Sequence, residues 1–179
     1  KYPETIAKGI QKGSTPVGMH ISICVNEILD FLQIKPGQKG LDATLGYGGH
    51  TRKMLECLQG QGHVYGLDVD PIESVKTEER LRGFGFGEDV FTMIQTNFAN
   101  IDQVAKAHGP FDFVLADLGV SSMQIDNPER GFTYKKEGPL DLRLNPQKGT
   151  SAAERLKEVT EEELVGMLRM NRMQRRLRL

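Results

Sequence analysis

A chain of 179 residues with 23 Lys+Arg against 24 Asp+Glu, a formal charge of −1, fits one domain able to bury a core of its own. The balance is uneven, because Arg169, Arg172, Arg175, Arg176 and Arg178 stand in the last eleven residues without an acid, leaving 18 Lys+Arg against 24 Asp+Glu, or −6, in residues 1–168. A surface that grips nucleic acid all over carries the opposite sign, so any such contact is local.

Residues 1–18 mix Lys, Gly, Pro, Thr and Ser with few apolar anchors and are expected to form an N-terminal arm. Lys1 stands where an initiator Met would, so the chain is expected to be a piece of something longer; with no signal-peptide order and no apolar run of membrane length, a cytoplasmic protein is the expectation. Ile28, Leu29, Phe31 and Leu32 give a helical period from about Cys24 to Phe31, closed by Pro36-Gly37. Cys24 and Cys57 suggest neither a disulfide framework nor a metal site, and both are expected to be free, buried thiols.

Lys39 to Ala43 reads as a short strand, Thr44 to His50 as a glycine turn, and Thr51 to about Leu58 as a helix. Glycine there lets backbone approach a ligand closely, and the free N–H groups of a helix start favour an anionic group. Alone, G-x-G-G also describes an ordinary tight turn. Gly62 to Leu67 is the next strand, closed by Asp68-Val69-Asp70-Pro71. Asp68 stands twenty residues after Gly48, the offset at which an acid after a second strand meets ribose hydroxyls. Asp70 suits the cap of a helix that Pro71 opens, with its polar face over Val75 to Leu81. Phe84 and Phe86, in a glycine-rich bend, are expected as core pegs. Val90 to Gln95 is a third strand, followed at its end by Phe98, and Ile101, Val104 and Ala105 mark another helix.

Phe111 to Ala116 reads as a fourth, buried strand ending at Asp117. Strands alternating with helices predict an α/β fold with a parallel sheet and a ligand outside the carboxyl ends, at the switch point between first and fourth strands. Gly48, Asp68, Phe98 and Asp117 all follow strand ends on that edge. From Leu118 to Lys148 neither helical nor strand period is visible, and a loop that long in a compact domain is usually functional or disordered. Ser151-x-x-Glu154 and Thr160-x-x-Glu163 then match the reciprocal helix-start box.

Asp117-Leu118-Gly119-Val120-Ser121-Ser122-Met123-Gln124, Asp126, Glu129-Arg130-Gly131-Phe132 and Gly138-Pro139-Leu140-Asp141-Leu142-Arg143 closely resemble the signature of the bacterial small-subunit ribosomal RNA cytosine N4-methyltransferases. The resemblance runs from about His20 to Leu168. It implies a Rossmann-like class I methyltransferase sheet, truncated after its fourth parallel strand. The core is then 19–148 with a substrate loop over 118–148, followed by the start of a helical region at 149–168 and an Arg-rich tail at 169–179. It implies S-adenosylmethionine as cofactor, held by Asp42, Gly46, Gly48, Gly49, His50, Asp68, Phe98, Asp117 and Gln124, with no metal. His20 and Glu27 match family positions, His20 reading more simply as a surface residue. Phe98 packs against adenine or into the core; spacing leaves both open.

A nicotinamide dinucleotide is the rival ligand, but its fingerprint asks for Gly where Thr51 stands. S-adenosylmethionine fits, with ribose to Asp68, carboxylate to N–H groups around Gly48 and Gly49, and ammonium to carbonyls or Asp42. Asp117 is the catalytic candidate, accepting hydrogen bonds from a cytosine amine; related enzymes carry Pro-Pro-aromatic after this acid, where this chain has Leu118-Gly119-Val120. Phe132 or Tyr134 could hold the base while Arg130, Lys135, Lys136 and Arg143 meet phosphates, against the alternatives of loop plugs and an internal Asp141–Arg143 pair. Partners implied are small-subunit ribosomal RNA or the assembled small subunit, no membrane, and a homodimer if the open sheet edge associates. A catalytically incomplete cofactor-binding fragment or interaction module is the alternative function.

Overall fold

A computed structural model of the chain describes the backbone of residues 22–176 and the side chains of residues 22–170. The arm at 1–18, His20 and the side chains of Arg172, Arg175, Arg176 and Arg178 lie outside the described residues. The chain divides into two compact units, one through Ser122 and one from Met123.

The first unit is built on a four-stranded sheet, β1 (Lys39–Asp42), β2 (His63–Asp68), β3 (Phe91–Gln95) and β4 (Phe113–Leu115), in the order β3-β2-β1-β4. All three pairings are parallel, with Leu41 opposite both Tyr65 and Val114, and Tyr65 opposite Thr92. Neighbouring residues on a strand face opposite sides, so the sheet has two apolar faces. On one, Val64, Phe91 and Phe113 meet Met54, Leu55 and Leu58 of α2 (Gly49–Leu58) and Leu81 of α3 (Pro71–Gly83), with Leu29 and Leu32 of α1 (Val25–Leu32) at the margin. On the other, Leu41 and Leu67 meet Val104 of α4 (Ile101–His108), flanked by Tyr65, Ile94 and Phe111. Burial of such side chains contributes about 1.5–3 kcal/mol each.

Helix starts follow from local chemistry. The Asp70 carboxylate accepts from the N–H groups of Ile72 and Glu73, and Pro71 takes the first helical position, so α3 begins four residues before the apolar period becomes visible. Asn97 likewise accepts from the Ala99 N–H to open a single 3-10 turn, Phe98–Asn100, ahead of α4. Gly49 and His50 already belong to α2, two residues earlier than expected.

Four expectations are corrected. β4 is an edge strand of the described sheet, and Val114 is 48 % exposed rather than buried. Phe84 lies half-exposed under the Arg52 guanidinium, 4.0 Å from its ring centroid, while Phe86 alone packs on the core. Cys24 and Cys57 are free, but Cys24 is exposed and Cys57 half-buried. The segment 118–148 contains a short helix, α5 (Ser122–Asp126), and a 3-10 turn, Pro128–Arg130.

In the second unit this segment folds on itself. Gly131 has φ +74°, and a Cβ there would collide with the carbonyl of Pro139 and come 2.8 Å from the N of Asp141, so only glycine permits the crossing. The Arg130 guanidinium donates to the carbonyls of Leu144 (2.9 Å) and Arg143 (3.4 Å). Arg143 grips Asp141 bidentately at 2.7 and 2.6 Å and donates to the Gly149 carbonyl. The carbonyls of Leu140 and Asp141 accept from Ala153 and Ala152 at the start of α6 (Ala152–Glu158), and both expected capping boxes are present, at Ser151–Glu154 and Thr160–Glu163. The second opens α7 (Glu161–Arg176).

The Arg143 guanidinium bonded to Asp141 holds its carboxyl down at about 2. Because the folded value lies below the unfolded one of about 3.9, the pair's stabilisation is present above pH ~4 and is lost as pH falls toward 2. Solvent screens it, since both side chains are about one-fifth exposed or more. The melting-temperature deficit of Asp141→Asn against the parent should therefore shrink steadily from pH 5 to pH 2, followed by circular dichroism; a deficit independent of pH would show that charge is not what the pair contributes.

Candidate active site at the carboxyl edge of the sheet

Every strand of the first unit ends on the same edge, and residues at the ends of β1, β2 and β4 are bonded to one another. Ala43 donates to the Leu115 carbonyl and Leu45 to that of Leu67, both at 2.8 Å, so the chain leaving β1 still runs between β4 and β2 before it turns. The turn is anchored by Asp68. Its Oδ2 accepts from the Gly46 N–H at 2.8 Å and its Oδ1 from the Asp70 N–H at 2.9 Å. Burial raises the Asp68 carboxyl above the usual range, more than these backbone bonds lower it.

Gly48 closes the turn and opens α2. Its φ is +80°, and a Cβ would come 2.7 Å from the Thr77 methyl, so the position needs glycine on both counts. The first N–H groups of α2 have no carbonyl one turn earlier, which leaves a donor-rich, positive helix end beside Asp68.

Asp42, 1 % exposed, lies beneath this turn. Its Oδ1 accepts from the Thr44 N–H at 3.0 Å and its Oδ2 from the Thr51 hydroxyl at 2.6 Å. Burial nevertheless raises its carboxyl above the usual range. Thr44 continues the chain of bonds, its Oγ1 accepting from the Asp117 N–H at 2.7 Å. The Asp117 side chain is half-exposed past β4, its Oδ2 3.8 Å from His50 Nδ1. His50 is largely buried, its Nε2 2.9 Å from the Ile23 carbonyl. A carbonyl only accepts, so Nε2 carries the hydrogen and Nδ1 is the nitrogen turned to Asp117.

The sheet edge thus brings together Asp42, Gly46, Gly48, Gly49, His50, Asp68 and Asp117. Phe98 follows β3 on this edge with its ring 49 % exposed, which removes the core alternative. Gln124, Arg130, Phe132, Tyr134, Lys135 and Arg143 belong to the second unit. There Gln124 and Arg130 are buried, Phe132 is half-buried, Lys135 is exposed, and Tyr134 is 94 % exposed. Arg130 and Arg143, expected to meet phosphates, have the internal partners already described.

Sequence reasoning missed Thr44, Thr51, Thr77 and Arg80. Thr51 entered as a helix start and a missing glycine, yet it is fully buried and bonded to Asp42. One signal was available for Thr77: with Ser74 and Leu81 it forms a helical stripe facing the protein, and all three are buried. A polar residue in such a stripe needs a partner.

The model of a family described as the MraW methylase family matches residues 18–177. The chain belongs to that family. It is 73 % identical over 171 residues to "Ribosomal RNA small subunit methyltransferase H 1" of Lachnoclostridium phytofermentans, covering 96 % of this chain and 47 % of that protein. It is 66 % identical over 171 residues to "Ribosomal RNA small subunit methyltransferase H 2" of Alkaliphilus metalliredigens, covering 96 % and 49 %. The chain therefore spans about half the length of the curated relatives it matches. The resemblance carried by the 117–143 signature holds, and the MraW methylase match covers the sheet edge and the second unit alike.

Thr51→Val removes the hydroxyl that Asp42 accepts from and keeps the shape. It should cost about 1–3 kcal/mol. A carboxyl raised in the folded state loses stability as pH climbs from its unfolded value through its folded one, and loss of a donor deepens that fall. Urea unfolding should show a larger deficit at pH 7 than at pH 4; equal deficits would mean that the bond to Asp42 is not what Thr51 supplies.

Proposed function

We propose that this chain carries the cofactor-binding sheet and part of the substrate surface of a cytoplasmic, S-adenosylmethionine-dependent methyltransferase acting on the N4 amine of a cytosine in small-subunit ribosomal RNA. The observation that carries the reading is the bonded edge itself: an acid after β2 holding a glycine turn after β1, with a half-exposed acid after β4, in a chain of the MraW methylase family.

The donor set fits the cofactor. A carboxylate offers about four acceptor positions, and Asp68 meets the backbone N–H groups of Gly46, Val69 and Asp70, leaving acceptor capacity for a ribose hydroxyl. The free N–H groups at Gly49 and His50 suit a carboxylate. Asp42 has both oxygens engaged inside the protein, so it acts on an ammonium through its charge, with turn carbonyls as the direct acceptors. Phe98, half-exposed past β3, offers an aromatic side chain to a base. S-adenosylmethionine, when bound, supplies an electrophilic methyl group on its sulfonium.

The chain's own task is to prepare the amine. The lone pair of cytosine N4 is delocalised into the ring, and a fixed acceptor for its N–H groups lets that pair turn toward carbon. Asp117 can accept those hydrogens, because its N–H is pinned to Thr44 while its carboxylate stays half-exposed. On the second unit, Tyr134 and Phe132 offer aromatic faces to a base, and Lys135 and Lys136 charge to its phosphates. Arg130 and Arg143 contribute by holding that segment's shape. With a body at −6, the RNA contact stays confined to such a patch.

Calorimetric titration of this chain should show binding of S-adenosylmethionine and none of NAD. Asp68→Ala should weaken the former by about 1–3 kcal/mol, as for a lost hydrogen bond to a charged group; unchanged affinity in a folded variant removes Asp68 from the site. In a version extended to the length of the relatives, Asp117→Ala should lower the single-turnover rate at saturating cofactor, read as N4-methylcytidine by mass spectrometry on small ribosomal subunits. Normal turnover would exclude it from the chemistry.

A further inference from the structure

The glycine turn is held on its far side by two residues of α3 that no reading of the site has so far used. Thr77 is fully buried, and its hydroxyl donates to the Gly46 carbonyl at 2.6 Å. The same peptide region is held in front by Asp68 through the Gly46 N–H. Gly46 is thus bonded at both of its polar groups, to two different elements. The Thr77 methyl does a second job, lying where a Cβ on Gly48 would come within 2.7 Å. Arg80, one turn further along α3, donates through Nη2 to the Thr77 hydroxyl at 2.8 Å and to the Tyr47 carbonyl at 3.3 Å, with its guanidinium 3.6 Å from the centroid of the Tyr47 ring.

We infer that Thr77, seconded by Arg80, is a positioning residue for cofactor binding: it fixes the peptide planes of Gly46 and Tyr47 so that the turn and the first N–H groups of α2 stand ready before a ligand arrives. The inference rests on the cofactor reading above and deepens it, since it locates the source of the turn's rigidity outside the residues that touch the ligand. Chemistry gives the reason for threonine. A hydroxyl is needed because the Gly46 carbonyl takes its bond from a fully buried side chain, and a methyl fills the space that Gly48 leaves. Valine offers only the second and serine only the first.

Those two substitutions separate positioning from mere packing. Thr77→Val keeps the volume and apolar contact but leaves the Gly46 carbonyl without its donor, so the unliganded chain should melt below the parent, while S-adenosylmethionine binding by calorimetry should weaken about tenfold, the scale of one hydrogen bond left unmade. Thr77→Ser removes a buried methyl, which lowers the melting temperature, yet it should restore affinity to within about threefold of the parent because the bond to Gly46 returns. Binding of Thr77→Val equal to the parent's, or a loss in Thr77→Ser as large as in Thr77→Val, would overturn the inference, since affinity would then ignore the hydroxyl or follow packing. Should Thr77→Val not fold, Arg80→Met decides: it keeps an apolar stem over Tyr47 and removes both bonds, and unchanged affinity would overturn the inference while weakening of about threefold or more would support it. A parent chain that fails to bind S-adenosylmethionine at all would instead bring down the cofactor reading, and this inference with it.

Discussion

The hydrogen bond from the Gly46 N–H to Asp68 joins the ends of two neighbouring parallel strands, and the candidate site is arranged around it. Parallel strands deliver their carboxyl ends to one edge but do not by themselves fix the turns that follow. Here an acid past β2 fixes the turn past β1, the turn sets the first residues of α2, and α2 places His50 beside Asp117 past β4. Asp42 and Asp68 are both pushed above the usual carboxylate range by burial that their internal hydrogen bonds only partly offset. Two such acids leave their part of the edge, as distinct from the donor-rich start of α2, short of donors and of positive charge. A ligand carrying hydroxyls and a cationic centre relieves that shortage, whereas an anionic ligand without them would find only the helix start favourable.

The signature that first drew attention to residues 117–143 has a different character from the glycine turn. Much of it works within its own unit: Gly131 permits a close crossing, Arg130 ties two carbonyls, and Asp141 with Arg143 ties the segment to the start of α6. A signature of this kind is unusual in composition because a long loop without regular structure must satisfy its backbone with side chains. The residues that remain outward, Tyr134 and Lys135 above all, are then carried on a folded platform rather than on a free loop. The pieces of the motif that hold its backbone and the pieces that face solvent are therefore largely different residues.

The sheet was legible because β1, β2 and β4 are short runs closed by an acid or a glycine turn, and because the offset from Gly48 to Asp68 reports two strands side by side. The cap at Asp70 and the boxes at Ser151 and Thr160 were legible for the same reason: a few adjacent residues decide them. Val114 was not, since an apolar run reads as buried on both faces only if strands and helices cover both, and β4 is an edge of the described sheet. Phe84 was misplaced because a guanidinium from another helix gives its ring a partner that no local pattern announces. Thr44 and Thr51 bond to groups seventy-three and nine residues away, on elements whose juxtaposition only the fold supplies.

The uneven charge of the chain, −6 over residues 1–168 against −1 in all, bears on the RNA contact proposed above. Phosphate contacts dominate the affinity of nucleic-acid binding and fall steeply with salt, yet most of the first unit's charge would repel a phosphate backbone. On the reading proposed above, the contact relies on fit instead: a base brought out of its stack and an acceptor fixed in advance for its amine. Each of those demands rigidity more than charge. Rigidity is what the turn supplies, with the Gly46 peptide held from both sides and Asp117 pinned through Thr44, in a region where a mobile backbone would have to be ordered again at every binding event. The buried threonines of the first unit follow from that requirement: they are the short side chains that can bond a backbone group or a carboxylate and fill apolar space at once.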